Sequence, residues 1–144
     1  MSAQLINSLA HRAARNAASI AHADTGPGNS SVRLYTAQAG TLLAVRTLDR
    51  PCGLVRGDGR IALAQPAVNS DVVLASGAVT WGEWCDGSGV AISAGHVTDE
   101  DGNVTDGGAL APHPDGIGPF VLKGSNGTAL YAGGLVLLDV ALIG

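Results

Sequence analysis

The sequence predicts an all-β fold, an antiparallel β-sandwich of the jelly-roll type, preceded by an N-terminal α-helix. Three observations lead to this class. Apolar residues recur with a helical period at the start of the chain and alternate with a period of two after Gly28. Glycine provides 21 of 144 residues, about twice its usual share of ~7%. Turn-forming residues separate short apolar runs every 8–12 residues or so, which is typical of sandwiches and barrels.

We expect two parts in the chain. The first is an N-terminal docking helix with its Gly-Pro-Gly break, at residues 1–28, and the second is a β-sandwich domain at residues 29–144. A chain of this length is ordinary for one domain, and its core needs no metal or disulfide to be stable.

The helix is predicted at residues 3–23, with Ser2 at its N-cap. Gly26-Pro27-Gly28 ends it, because proline and glycine do not continue a helix without cost. Its apolar stripe consists largely of alanine, so it buries little area and suits close approach to another surface. The candidate interface residues on this helix are Leu5, Leu9, Arg12, Ala13 and Arg15.

Short segments with alternating apolar residues follow the helix. Strands are predicted at residues 32–36, 41–48, 61–64, 71–75, 78–85, 90–97, 120–123, 129–132 and 135–143. The clearest hairpin joins residues 78–85 to residues 90–97 through an Asp-Gly-Ser-Gly turn.

Trp81 and Trp84 lie three residues apart on one predicted strand, so their side chains point to opposite faces of the sheet. One of them belongs to the core. The other is an interface anchor, because tryptophan is enriched among the residues that dominate binding at protein interfaces. The sequence leaves open which is which, so both are candidate interface residues.

An acidic loop is predicted at residues 99–119, which hold five acidic residues, five glycines and three prolines. Such a loop is either an exposed feature or an arm that grips a partner. Asp99, Asp101 and Asn103 alternate as at the start of an EF-hand loop, but Val104 and Leu110 stand where that loop needs glycine and glutamate. We therefore expect an acidic turn and no metal ligands, with a weak cation site as the alternative.

The charge of the chain is low and unevenly distributed. Charged residues make up 14% of the sequence, against ~25% in typical soluble domains, which indicates a surface partly covered by other subunits; a glycine- and alanine-rich monomer is the alternative. The net charge of −4 predicts no general attraction to nucleic acid or to an anionic membrane. Residues 1–60 hold seven of the eight basic side chains, which fits either an oriented interface or neutralisation between the two halves.

Cys52 and Cys85 are expected to be free, buried thiols, because their spacing matches neither a metal site nor a disulfide framework. The amphipathic first segment lacks the continuous apolar core of a signal peptide, and no run of about 18 apolar residues predicts a membrane span. We therefore expect synthesis in the cytoplasm and no membrane partner.

The motifs predict no catalysis. Ser93-Ala94-Gly95-His96-Val97 has a likeness to the histidine segment of trypsin-like proteases, but no serine stands in a matching glycine-rich frame. Arg56-Gly57-Asp58 is interpreted as a turn. With no cofactor-binding loop in the sequence, we expect no catalytic residue, cofactor or metal; an enzyme without a recognisable motif is the alternative.

Several segments together resemble a group of small virion structural proteins of tailed bacteriophages. They are the alanine- and arginine-rich helix, Gly26-Pro27-Gly28, Val32-Arg33-Leu34-Tyr35-Thr36, Thr41-Leu42-Leu43-Ala44, and Ala78-Val79-Thr80-Trp81 before an Asp-Gly turn. The likeness is one of pattern and covers most of residues 3–102. The loop at residues 103–119 and Cys85 have no counterpart in the group.

Within that group, the size and composition are most like those of a capsid decoration or cement protein. The resemblance implies a small sandwich that binds the major capsid protein on the outer surface of the virion capsid and stabilises the shell. The low charge, the alanine-rich stripe and the two tryptophans predict that it also forms a homodimer. The alternatives are a head–tail joining or tail component and, from a different class, a cellular binding module.

Overall fold

The computed structural model describes residues 8–66, 71–123, 126–136, 138 and 142–143, and in these residues the chain is β-rich with one α-helix. The β-rich class and the N-terminal helix predicted from the sequence are confirmed. In this part of the chain, no helix has both the length and the apolar composition needed to cross a membrane.

The described residues form twelve β-strands. In chain order they are β1 (Ser31–Tyr35), β2 (Leu42–Thr47), β3 (Gly53–Val55), β4 (Ile61–Leu63), β5 (Gly77–Ala78), β6 (Trp81–Cys85), β7 (Ala91–Asp99), β8 (Asn103–Asp106), β9 (Ala109–Pro112), β10 (Phe120–Leu122), β11 (Ala129–Leu130) and β12 (Leu142–Ile143).

The helix α1 spans Leu9–Ala23 and is capped by Ser8, whose hydroxyl accepts a hydrogen bond from the backbone N–H of His11 at 3.1 Å. Ser8 has extended backbone angles, so the prediction of one continuous helix from residue 3 is wrong at this residue. The predicted cap Ser2 and the candidate interface residue Leu5 lie outside the described residues. The helix ends where predicted, before Gly-Pro-Gly.

The largest sheet contains five strands in the order β10-β7-β6-β1-β2. Its neighbouring strands are antiparallel except β10, which runs parallel to β7. The predicted fully antiparallel sheet is therefore wrong at this edge, because the long connection between the two strands returns the chain to the same end of the sheet. A three-stranded sheet has the order β12-β4-β3, β5 pairs with β11, and β8 pairs with β9.

Three predicted strands differ from the structure. The first is the predicted strand at residues 71–75, where Val72 forms an isolated β-bridge with Leu135. The predicted strand at 78–85 is interrupted, because the N–H of Val79 bonds to Thr128 O and so leaves the sheet that β6 joins. Residues 135–143 are described in part: Leu135 and Leu138 form isolated β-bridges, and Leu142–Ile143 forms β12.

One buried core joins the helix to the sheets. It includes Ala23 from α1, Val32, Leu34, Leu43, Trp84, Val97, Phe120 and Leu122 from the five-stranded sheet, and Ile61 and Leu63 from β4. Gly82 allows this packing, because a Cβ at that position would lie 2.7 Å from the ring of Phe120. Any side chain at Gly82 would therefore displace Phe120.

The second half of α1 is part of the fold. Asn16, which is buried, donates a hydrogen bond from Nδ2 to Gly59 O at 2.6 Å in the turn between β3 and β4. Ile20 packs against the core and Ala23 lies within it. Leu9, in the first turn, is 54% exposed. Among the described helix residues, the large exposed apolar side chain therefore lies in the first turn.

The sequence predicts a loop at residues 99–119, but the structure shows that this segment is partly regular. It contains the hairpin β8–β9, in which Asp106 pairs with Ala109 across Gly107 and Gly108. Both glycines have positive φ, 60° and 84°, as a two-residue hairpin turn of the favoured hand requires. The Asp-Gly-Gly sequence was the available signal, and the high density of glycine and proline around it obscured the short strands.

Candidate interface surfaces

Aromatic and charged side chains lie on the face of the five-stranded sheet opposite Trp84. Tyr35 pairs with Trp81, and Trp81 pairs with His96, so the three side chains lie in one row across β1, β6 and β7. Arg33 and Glu83 form the neighbouring cross-strand pair. All five residues are half-buried. We call these five residues the outer face.

Trp84 is the core member of the tryptophan pair, and Trp81 is the member on the outer face. Trp84 is 1% exposed, and its Nε1 donates a hydrogen bond to Ser30 Oγ at 2.9 Å. Ser30 Oγ in turn donates to Cys85 O at 2.6 Å. Trp84 is thus buried and fully hydrogen-bonded within the chain, which leaves Trp81 as the tryptophan available to a partner.

Two donor groups of the outer face are buried without a hydrogen-bond partner among the described residues, Arg33 Nε and Trp81 Nε1. The Arg33 guanidinium lies against the turn between β6 and β7, where a Cβ on Gly89 would be 2.6 Å from Nη2. Buried donors are nearly always satisfied, and leaving one unsatisfied costs ~1–3 kcal/mol. An acceptor brought by another molecule would remove this cost.

Tyr35 adds a neutral hydroxyl to the outer face. Burial raises the pKa of Tyr35 above its ordinary value, and the negative charge of Glu83 acts in the same direction, while Arg33 opposes the shift. The phenol therefore stays protonated at neutral pH, where it can both donate and accept a hydrogen bond.

His96 connects the outer face to the segment after β9. Its ring stacks on that of His113, with centroids 4.0 Å apart and planes 12° from parallel. His96 Nε2 lies 3.3 Å from Gly116 O, and His113 Nδ1 accepts a hydrogen bond from the N–H of Asp115 at 3.0 Å. These contacts hold residues 113–116 against the edge of the outer face at His96.

The first half of α1 meets the turn between β3 and β4. Arg12 Nη1 donates to Asp58 O at 3.2 Å, and a Cβ on Gly59 would lie 3.0 Å from Leu9 Cδ1. Arg15 follows one helical turn after Arg12 and is exposed, whereas Ala13 is half-buried. Two residues predicted at an interface, Leu9 and Arg12, are thereby placed beside this turn, and Arg15 lies next to Arg12 on the helix surface.

The same turn carries two more arginines, Arg56 and Arg60, on either side of the residues that contact the helix. Both are exposed. Asp58 partly balances them, since Arg60 Nη2 bonds to Asp58 Oδ2 at 2.9 Å and the backbone N–H of Arg60 leads the groups that lower the pKa of Asp58. We call Leu9, Arg12, Arg15, Arg56 and Arg60 the basic patch. Sequence reasoning missed Arg56 and Arg60, because their approach to the helix depends on the tertiary fold.

The β8–β9 hairpin and its flanks carry the opposite charge. Asp101, Asp106 and Asp115 are exposed. Leu110 and Ile117 are 55% and 61% exposed. We call these five residues the acidic pole. It belongs to a different part of the fold from the basic patch, because α1 packs on β3 and β4, whereas β8 contacts β7 and β5.

Asp99 differs from the other acidic residues of this segment, because it is 1% exposed. Its carboxylate accepts hydrogen bonds from the backbone N–H groups of Asp101, Asn103 and Gly127. Burial works to raise the pKa of Asp99, but these hydrogen bonds outweigh it and hold the pKa below its ordinary value. Asp99 therefore organises the loop from inside. Among the described residues, no cluster of three or more metal-ligating side chains occurs.

Cys52 and Cys85 are free and buried, as predicted. Burial raises the pKa of Cys52 to about 11, and the neighbouring Asp24 adds to the shift. Burial also raises the pKa of Cys85. Both thiols stay protonated at neutral pH and are poor nucleophiles there.

Comparison with known proteins adds no family to this description. No protein-family model, no curated protein and no solved structure matches the chain. Its function is therefore inferred from the surfaces described above and from the pattern of its sequence.

Proposed function

We propose that this chain is a structural protein of a tailed-bacteriophage virion, a capsid decoration or cement protein that binds the major capsid protein on the outer surface of the shell and catalyses nothing. The observation that carries the proposal is the outer face, where Trp81 and Arg33 each keep a buried donor without an acceptor among the described residues. The sequence pattern described above supports the choice of a virion protein.

The composition of the outer face suits a protein partner. Tryptophan, tyrosine and arginine are the residues most enriched among those that dominate interface energetics. Trp81, Tyr35 and Arg33 are neighbours across two paired strands. A partner that places backbone carbonyls over them would satisfy both free donors and cover the aromatic rings in one contact.

A cement protein of this kind stabilises the shell by mass action. If the protein binds the assembled shell and not its dissociated subunits, each bound copy shifts the equilibrium toward the shell. The proposal includes a two-layer arrangement of the jelly-roll type for the β domain, association of the protein with itself, and a docking contribution from the N-terminal helix. An experimental structure of the decorated particle would test all three.

The first test compares shells with and without the protein. Shells that lack it should lose integrity at a lower temperature than decorated shells, and adding the protein back should restore the difference. Equal stability, or recovery of the protein from tails alone, would contradict the capsid role and favour a head–tail joining or tail component.

The second test removes one donor from the outer face. Trp81→Phe keeps an aromatic ring but lacks Nε1–H, so the variant should fold normally and bind shells about tenfold more weakly. Tyr131→Phe is the matched control, because Tyr131 is 73% exposed and lies outside the outer face. Unchanged shell binding by Trp81→Phe would show that this face is not the contact.

A further inference from the structure

We infer that copies of this chain associate head to tail, with the basic patch of one copy seated on the acidic pole of the next. The contact is independent of the outer face, and it concerns copies of the chain alone. The proposed shell binding is therefore not needed for it.

The two surfaces are complementary in charge. The basic patch carries four arginines, and one carboxylate, Asp58, partly balances them through its pair with Arg60. The acidic pole carries three exposed aspartates. With a net charge of −4 for the whole chain, two copies repel each other on average, whereas contact between this basic region and an acidic region is favourable.

The two surfaces are also complementary in their apolar residues. Leu9 is 54% exposed within the basic patch, and Leu110 and Ile117 are 55% and 61% exposed within the acidic pole. Burying apolar side chains supplies the affinity, and the surrounding opposite charges supply orientation. Arginine suits this role because its planar guanidinium binds a carboxylate through two hydrogen bonds.

The geometry of the pairing predicts the form of the assembly. Different surfaces meet in a heterologous contact, which leaves one free patch and one free pole at the ends of each pair. Such contacts produce a closed ring or an open chain instead of a symmetric dimer. Exposed ion pairs are individually weak and screened by salt, so the association is expected to be weak in solution and strongest at low ionic strength.

The experiment uses charge reversal on the full chain, followed by sedimentation over a range of protein concentrations at low and high salt. Arg15→Glu with Arg56→Glu reverses the patch, and Asp101→Lys with Asp106→Lys reverses the pole. Among the described residues these four side chains make no hydrogen bond, so both variants should fold. Lys123→Glu is the control, because Lys123 is exposed and lies outside both surfaces.

We expect the wild-type protein to associate at low salt, and each reversed variant to associate at least about tenfold more weakly. Lys123→Glu should change the affinity by less than about twofold. A mixture of the two reversed variants should associate again, because the unaltered pole of one variant can meet the unaltered patch of the other, and the two reversed surfaces also carry opposite charges. A wild-type protein that stays monomeric at low salt, or folded reversed variants that fail to recover association when mixed, would overturn the inference.

Discussion

The backbone N–H of Gly127 donates a hydrogen bond to Oδ2 of Asp99 at 2.7 Å, and so ties the start of β11 to the end of β7. The other carboxylate oxygen, Oδ1, accepts hydrogen bonds from the N–H groups of Asp101 and Asn103. One buried side chain therefore fixes both the entry to the β8–β9 hairpin and a segment much later in the chain.

This relationship predicts a pH dependence of stability. The pKa of Asp99 is lowered in the folded protein, whereas an unfolded aspartate has a pKa of ~3.9. The stabilisation is therefore fully present above pH ~4 and is lost as the pH falls through the folded pKa. Asp99→Asn should lower the free energy of unfolding by ~1–3 kcal/mol at pH 7.

Thermal unfolding from pH 2 to pH 7 measures this effect. The Asp99→Asn variant should lose the part of the acid dependence that the carboxylate supplies. Asp101→Asn is the control, since its side chain is exposed and only its backbone N–H takes part in the contact. Identical pH profiles for Asp99→Asn and the wild type would contradict the structural role of this carboxylate.

A second prediction compares two ion pairs in the same chain. Arg46 is 1% exposed, and its Nη1 lies 3.1 Å from Asp71 Oδ2. Removing one partner of a buried pair costs ~3–5 kcal/mol, so Asp71→Ala should strongly destabilise the protein. Arg60→Ala breaks the exposed pair with Asp58 and should cost far less, because solvent screens exposed ion pairs. Urea unfolding of the two variants checks the contrast, and similar losses would refute it.

A third prediction concerns the hydrogen-bond chain from Trp84 through Ser30 to Cys85. Ser30→Ala removes both bonds and leaves the indole N–H of Trp84 buried without its partner. We expect the free energy of unfolding to fall by ~1–3 kcal/mol. Ser93→Ala, at an exposed position on β7, should change it by less than ~0.5 kcal/mol. If Ser30→Ala loses no more stability than this control, the two hydrogen bonds of Ser30 contribute little to the free energy of unfolding.

A fourth prediction concerns the reactivity of the two thiols. Cys52 and Cys85 are buried, and burial raises both pKa values. In native protein at pH 8 neither should react with a thiol reagent on the timescale on which free cysteine reacts. Denaturation without reductant should release two thiols. Finding none after denaturation would mean that the cysteines are oxidised.

The main strands could be predicted because their signals are local. β1 alternates apolar and polar residues, β2 begins with a run of four apolar residues, and Asp86-Gly87-Ser88-Gly89 marks the turn between β6 and β7. The parallel pairing of β10 could not be predicted, because it depends on where a long connection returns the chain. The break between Ala78 and Trp81 arises from a bond to Thr128, far away in sequence.

The candidate surfaces were predictable only in part. Alternation placed Trp81 and Trp84 on opposite faces, but which face is buried depends on how the helix and the other sheets pack. Leu9, Arg12 and Arg15 were chosen from the helical pattern. Arg56 and Arg60 lie near them because Asn16 contacts Gly59. This tertiary contact could not be predicted from the helical pattern.

The parallel pairing of β7 and β10 also affects the order in which the sheet can assemble. β6 and β7 are joined by a short turn, so they can pair early, whereas β10 can pair only after residues 100–119 have closed a long loop. The last strand to join is expected to be the first to detach. Amide protons of β10 should therefore exchange with solvent at a lower opening free energy than those of β6, which makes this edge the weakest cooperative unit of the sheet.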